Sequence, residues 1–473
     1  MFDPDIAPSG TLLGLLQRGR GDGTLHALAE DRAEALAALE QCVVRDPRRD
    51  WQVESRSLYY ARLYSELEGG LGGIEHHLFH PDDLLDTDEQ RTGLALSVLG
   101  HLAGYGRKDA LHLLRRYAAE GANWEWALDE LALHDDDASL RALAPAVLGR
   151  FPAGPEGDAA LARAMREAYE PRPWRLWAED PVHGERVRAA EEQRSFDRWQ
   201  RQLRPTGPAP GWSVTDVLRW AQQGYDGWPV QHRDAPAARC LAAVAGPEDR
   251  PALLEAARGG PEGARAAALR HLTARQDPDA LALIEAAAAA PSPVVSGAAL
   301  ESFARMRGAA ALDQARRWAG REDELGAAAA RMLADLGGRT DAPAVLAALR
   351  RAVRTAGADA PGLDVLVDGV GRLAIACAAP VVRHIYRETA SSHLRGRAAR
   401  ALVAVDPAFA KGFAVECLWD CEESTRELAA RHAATGDVRV LAQLRRLAAD
   451  PAEEAEVLTA VRGRLNPGRG LTG

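Results

Sequence analysis

Apolar residues along this chain recur as pairs three positions apart, each followed by a polar break and a second apolar run. Leu99-Gly100-His101-Leu102 leads into Gly104-Tyr105-Gly106-Arg107-Lys108-Asp109 and then Ala110-Leu111. Leu269-Arg270-His271-Leu272 leads in the same way into Ala274-Arg275-Gln276-Asp277-Pro278-Asp279 and then Ala280-Leu281. An i, i+3 apolar pair is one face of a helix, and a break rich in Gly, Asp and Pro is a turn. The pattern therefore predicts helix, short turn, and a second helix folding back on the first.

The second apolar residue of each pair serves as an anchor: Val244, Leu272, Phe303, Leu333, Leu373, Leu402, Ala433 and Val461, at separations of 28, 31, 30, 40, 29, 31 and 28 residues. Leu63, Leu102 and Leu131 extend the series toward the N-terminus, 39 and 29 apart. The two long intervals hold turn-rich insertions, Gly69-Gly70-Leu71-Gly72-Gly73 and Ala356-Gly357-Ala358-Asp359-Ala360-Pro361-Gly362. Two helices of about 12 residues with short turns fill a unit of this length. Such a unit cannot bury its apolar face alone and has to stack on its neighbours. With 473 residues the chain also exceeds what one compact core supports. The expectation is an all-α fold, an α-α superhelix of stacked antiparallel helix pairs with no substantial sheet.

Between Leu131 and Val244 the register is lost, and six of the eleven tryptophans fall there: Trp174, Trp177, Trp199, Trp212, Trp220 and Trp228. Local signals remain helical. Ser213 with Asp216 reads as a capping box, Trp212 as a staple onto Val217, and Gly224 as a stop. Arg204-Pro205-Thr206-Gly207-Pro208-Ala209-Pro210-Gly211 is the linker candidate. The expected organisation is a helical array over 1–150 with its capping segment, an irregular tryptophan-rich segment over 151–235, a second array over 236–465, and a disordered Gly-rich tail over 466–473. The polar runs Glu30-Asp31-Arg32-Ala33-Glu34 and Asp450-Pro451-Ala452-Glu453-Glu454 suit the outer faces that terminal repeats present to water.

The ~30-residue unit resembles the short HEAT-like (armadillo-type) repeats of bacterial scaffolds and phycobilin lyases. The resemblance covers about three-quarters of the chain and implies the fold. It implies little about activity, because this fold carries many unrelated ones. A related HEAT-like family, the deoxyhypusine hydroxylases, binds iron through repeated His-Glu dipeptides. This chain has thirteen histidines and no His-Glu dipeptide, which removes that reading.

Charge narrows the partners. The formal net charge is −10, from 58 basic and 68 acidic residues. An acidic chain lacks the excess of cations that binding along a nucleic-acid backbone requires. Among the basic residues only Lys108 and Lys411 are lysines, a bias that by itself reads as a GC-rich coding genome. Five cysteines do not make a disulfide framework. Cys417 and Cys421, four apart on one helical face, read as buried apolar side chains. The acidic start Met1-Phe2-Asp3-Pro4-Asp5 is unlike a secretion signal, and Leu12-Leu13-Gly14-Leu15-Leu16 is too short to span a bilayer, so a cytoplasmic protein is expected.

Three clusters carry candidate chemistry. His76 and His80, with His77 between them and Asp82, Asp83, Asp86 and Asp88 after them, have helical i, i+4 spacing. They sit between Gly72-Gly73 and Pro81, which leaves only a short helix, so they read as solvated histidines at a loop edge rather than metal ligands. Asn123-Trp124-Glu125-Trp126-Ala127-Leu128-Asp129-Glu130-Leu131 places Trp124 on the core face and Trp126 elsewhere, with Asp129 and Glu130 as its i+3 and i+4 neighbours. A tryptophan beside a carboxylate resembles the cleft of HEAT-like DNA glycosylases acting on alkylated bases. That match would give Trp124 or Trp126 the aromatic role and Asp129 the catalytic one, although those enzymes have adjacent tryptophans and here Glu125 intervenes. Pro171-Arg172-Pro173-Trp174-Arg175-Leu176-Trp177 puts two tryptophans on one face of a helix begun at Pro173, flanked by arginines, the types enriched at binding hot spots. The alternative for this segment is packing at a joint between arrays.

No nucleotide loop, nucleophile elbow or zinc ribbon is present, and no cofactor is implied. The leading expectation is a non-enzymatic scaffold that binds a protein or peptide on a concave helical surface, using Trp126, Asp129, Arg172, Trp174, Arg175 and Trp177. The rivals are the glycosylase and a lyase or chaperone acting on a protein-bound cofactor.

Overall fold

The computed structural model describes residues 6–47, 54–191, 211–226 and 230–466. Trp199, Trp228, the Arg204–Pro210 stretch of the linker and the tail beyond Asn466 lie outside the described residues. Helices connected by short turns account for the described residues, with no strand among them. The fold is all-α, built of helix pairs that stack on their neighbours. No helix among the described residues is long and apolar enough to cross a membrane.

The helices begin where the sequence supplies acceptors for their free N–H groups. Asp88 accepts from Gln90 ahead of Glu89–Gly104, Asp136 from Ser139 ahead of Asp137–Leu148, and Ser292 from Val295 ahead of Pro293–Ala304. The box at Ser213 is present, its N–H meeting the Asp216 carboxylate at 3.1 Å. Trp212, however, packs edge-on against Trp220, and the helix runs through Gly224 to Asp226. Ten of the eleven anchors are buried, among them Leu102, Leu131, Phe303, Leu333 and Val461 at 0% exposure. Val244 is the exception at 39%, and Leu241, one turn earlier and fully buried, takes its place. The spacing from Leu241 to Leu272 is 31, so the correction makes the repeat more regular.

Successive repeats are joined by a recurring clamp. An arginine on one helix makes a two-pronged bond to a carboxylate in a turn 20–27 residues further on: Arg115 to Asp135, Arg250 to Asp277, Arg316 to Asp341, Arg395 to Asp420 and Arg426 to Glu453. In each, Nε reaches one oxygen and Nη2 the other. Only a guanidinium has this planar fork, and an ammonium in its place would bind as a point charge. The arginine bias therefore has a structural use that composition alone does not reveal.

The chain divides into two compact units. One joins Met1–Arg204 to His384–Gly473, and the other is Pro205–Arg383. This departs from the division expected from sequence. The first boundary falls in the linker candidate, but the array expected over 236–465 is cut at 383, and its last repeats belong with the N-terminal segment. Within the first unit, the Arg56–Glu66, Glu89–Gly104 and Trp124–His134 helices pack in succession, as do Ser392–Val405, Glu423–His432 and Ala455–Leu465. In the second, Glu262–Ala274, Pro293–Ala304, Glu324–Leu336 and Leu363–Arg372 do the same.

Polar contacts explain the joining of the chain's two ends in the first unit. Arg62 bonds Asp450 at 2.8 Å and Glu453 at 3.1 Å, Arg20 reaches Glu416 at 3.2 Å, and Ser392 donates its N–H to Glu54 at 2.7 Å. The Asp450–Glu454 run is thus not a solvent-facing cap, since Glu453 is buried between Arg62 and Arg426. At Gly19 the chain turns with φ +66°, and a Cβ there would lie 2.4 Å from the Cys421 sulfur. Cys421 and Cys417 do not share a helix. Cys417 opens the tight turn Cys417–Trp419, and Cys421 follows Asp420, which is extended. Both thiols are buried.

Candidate functional site

A candidate site forms around the Trp124–His134 helix. It is a cleft of ≈ 310 Å³ whose floor includes Trp124, Trp126 and Trp174. Four carboxylates line it: Glu89 from the start of Glu89–Gly104, Glu125 and Asp129 from Trp124–His134, and Glu167 from the end of Pro155–Glu167. None of the described residues lining it is basic. Burial together with the neighbouring Glu167 and Asp129 charges pushes the Glu125 carboxyl above its ordinary range, and the exposed Arg163 offsets this only in part.

Asp129 occupies the edge of this cleft with a defined structural task. Its two oxygens accept the N–H groups of Tyr169 and Glu170, at 3.3 and 3.0 Å, and so pin the turn after Pro155–Glu167. Burial raises its carboxyl above the usual value, while those two N–H groups pull the other way. A carboxylate already holding two backbone donors, in a cleft ringed by other carboxylates, is poorly placed to approach a polyanion. The geometry thus works against the glycosylase assignment of Asp129.

Trp126 is half-buried, and its indole N–H donates to Ser97 Oγ at 3.0 Å. Ser97 in turn donates to Glu130 at 3.1 Å. Gly100 lies against this chain of bonds, since a Cβ at that position would sit 1.9 Å from the second Glu130 oxygen. The absence of a side chain at Gly100 is what lets the Glu89–Gly104 and Trp124–His134 helices approach around the carboxyl. Desolvation raises Glu130 to about 7, against which the Ser97 and Trp126 donors act. Nearby, burial and the charge of His134 lower His101 to about 4.

These two shifts have opposite consequences for stability. Glu130 binds its proton more tightly folded than unfolded, so its contribution is full below pH 4.5 and is lost as pH rises through about 7. His101 binds its proton less tightly folded, so its contribution is regained between about 4 and 6.5. Glu130→Gln removes the first and leaves the second. The variant is expected to melt like the parent near pH 4.5 and above it at pH 8, with a gain of at most about 3 kcal/mol because solvent screens the partly accessible carboxyl. Paired thermal melts across that range check it, and a pH-independent difference would refute the assignment.

Trp174 and Trp177 are buried, at 4% and 0% exposure, and stack edge-on with centroids 5.0 Å apart. Trp124 bridges Trp174 to Phe151, at 6.4 and 5.8 Å. Trp177, with its N–H on the Leu140 carbonyl at 2.8 Å, sits in the core. Trp174 is core on one side and cleft floor on the other. Arg172 is spent on the Ala132 carbonyl at 2.8 Å and on Asp137, and Arg175 is exposed.

His77 is held between Asp83 at 3.0 Å and the Arg91 carbonyl at 2.8 Å, and His80 accepts from the Asp82 N–H. These histidines secure a turn after the seven-residue helix Gly72–Leu78. A larger groove of ≈ 630 Å³ beside Arg62, Glu66, Tyr105 and Arg446 is bordered by charges already paired with one another, Arg62 with Asp450 and Arg446 with Glu66.

The site contains residues that sequence reasoning did not single out: Glu89, Glu167 and Tyr169. Tyr169 is 80% exposed on the turn that Asp129 pins. On the other side, the Ala122 N–H bonds the Leu84 carbonyl at 2.8 Å, next to Leu85, which is 73% exposed. No known family model and no characterised protein matches the sequence.

Proposed function

We propose that this chain is a HEAT-type scaffold, non-enzymatic, that holds a protein or peptide partner at the Trp126 cleft. The observation that carries the reading is the combination at one place of an aromatic floor, four gathered carboxylates and large exposed side chains on the flanking turns. Elsewhere the molecule pairs its buried charges, as in the arginine clamps. Here four carboxylates share one cleft with no basic residue among its described lining, and exposed aromatic residues beside a concave site are a common feature of partner surfaces. A stacked-helix framework also supplies such a surface already formed.

The test is site-specific photo-crosslinking in native cells. A photoreactive phenylalanine replaces Tyr169 in one variant and Val438, which is 78% exposed on another segment, in a second. The expected result is a discrete crosslinked polypeptide at position 169, absent at 438 and lost when Trp126→Ala is added to a chain that still melts cooperatively. Identical adducts at both positions, or adducts indifferent to Trp126→Ala, would reject the cleft as the partner site.

A further inference from the structure

The chemistry of the cleft specifies more than the presence of a partner. Resting on the reading above, we propose that its occupant is a basic peptide segment that inserts an arginine, or less favourably a lysine, side chain between the carboxylates and the Trp126 ring.

Glu89, Glu125, Asp129 and Glu167 converge from three helices on ≈ 310 Å³, with no basic residue among the described lining. Like charges gathered this way are unfavourable in the empty molecule, and a cation in their midst relieves the repulsion. A free metal ion would satisfy charge but has no assembled ligand set, because no group of three or more suitable side chains lies close enough among the described residues.

The floor adds a second requirement. An indole face attracts a cation, and a guanidinium does so at smaller desolvation cost than an ammonium while also matching carboxylates two-pronged. The chain already makes this contact internally, with the Arg150 guanidinium 5.6 Å from the Trp124 ring centre. Trp174 lines the cleft and is 4% exposed, yet its indole N–H meets no acceptor. A peptide brings carbonyl groups along with its basic side chain, and so offers both a cation and an adjacent acceptor. The exposed Tyr169 and Leu85 on the flanking turns give the neighbouring peptide residues apolar contacts.

The probe is a labelled peptide, acetyl-Gly-Ser-Leu-Arg-Leu-Gly-Ser-amide, compared with versions carrying norleucine or glutamate in place of arginine. Binding to the full chain is read by fluorescence anisotropy at low and physiological salt. Because the whole protein is acidic, the decisive comparison is between two charge-matched double variants. Glu125→Gln/Glu167→Gln removes charge from the cleft, and Glu185→Gln/Glu255→Gln removes the same charge from exposed positions elsewhere.

The expected result is binding of the arginine peptide roughly tenfold tighter than the norleucine one, with that preference lost in the cleft variant and kept in the control. Equal weakening in both double variants would reduce the effect to bulk attraction and overturn the inference. A norleucine peptide that binds as well as the arginine one and is still sensitive to Trp126→Ala would overturn the charge assignment while leaving the partner site standing. Absence of binding for every peptide, beside a Trp126-dependent crosslink at position 169, would likewise reject the basic segment and not the scaffold.

Discussion

Asp420→Ala is expected to cost about 3–5 kcal/mol of stability, the loss that follows when one partner of a fully buried ion pair is removed. Both side chains of the Arg395–Asp420 pair are 0% exposed, and the two bonds measure 2.7 and 3.0 Å. Desolvation alone would lower the Arg395 pKa, but the Asp420 charge overcomes this and holds it well above the ordinary value. The arginine therefore stays charged, and without Asp420 it loses its two-pronged partner and keeps only the weaker attraction of Glu54. Arg395 also donates to the Gly19 carbonyl at 3.3 Å, and the Cys421 N–H donates to the same oxygen at 2.9 Å. Loss of the pair should thus loosen the C-terminal segment from the N-terminal one, and limited proteolysis should find new cuts after residue 384 before the rest of the unit yields. The double variant Arg395→Met/Asp420→Ala is expected to recover much of the loss, because the buried charge is gone from both sides. Denaturant titration of the three variants decides this. A double variant as unstable as the sum of the singles would mean that the pair does not act as a unit.

How far sequence reaches into this molecule depends on the range of the interaction. Helices, turns and the ~30-residue unit were legible because each is encoded within one or two turns of chain, and an apolar face repeats wherever a helix must bury one side. Val244 misled by one turn because alanines around it leave the apolar face wide, and only packing selects Leu241. The association of residues 384–473 with the N-terminal segment left no periodic trace. Arg62 and Glu453 are 391 positions apart, and a polar run such as Asp450–Glu454 has the same composition whether it faces water or meets arginines from elsewhere in the chain. The site divides along the same line. Trp126 and Asp129 could be placed together because they are three apart on one helix. Glu89 and Glu167 join them through tertiary packing, and Tyr169 stands out only through an exposure that no local pattern specifies.

Trp177→Ala and Trp174→Ala should both destabilise, by about 3–5 kcal/mol each, since each empties the volume of a buried indole. Substitution by phenylalanine separates them. At Trp177 the N–H is bonded to the Leu140 carbonyl at 2.8 Å in a fully buried setting, so Trp177→Phe forfeits that bond, at about 0.5–1.5 kcal/mol beyond the change in packing. At Trp174 the N–H has no partner to lose, so Trp174→Phe forfeits packing alone and should melt closer to the parent. The order reverses for binding. Trp177 is sealed behind Trp174, whereas Trp174 lines the cleft, so Trp174→Phe should weaken capture of the partner while Trp177→Phe leaves it unchanged in molecules that remain folded. Thermal melting and crosslinking yield at position 169, measured on the same preparations, give both readouts. If the two phenylalanine variants lose stability equally, the unpartnered N–H is not a feature of the folded protein. If they bind equally, Trp174 belongs wholly to the core and the floor of the cleft is left to Trp124 and Trp126.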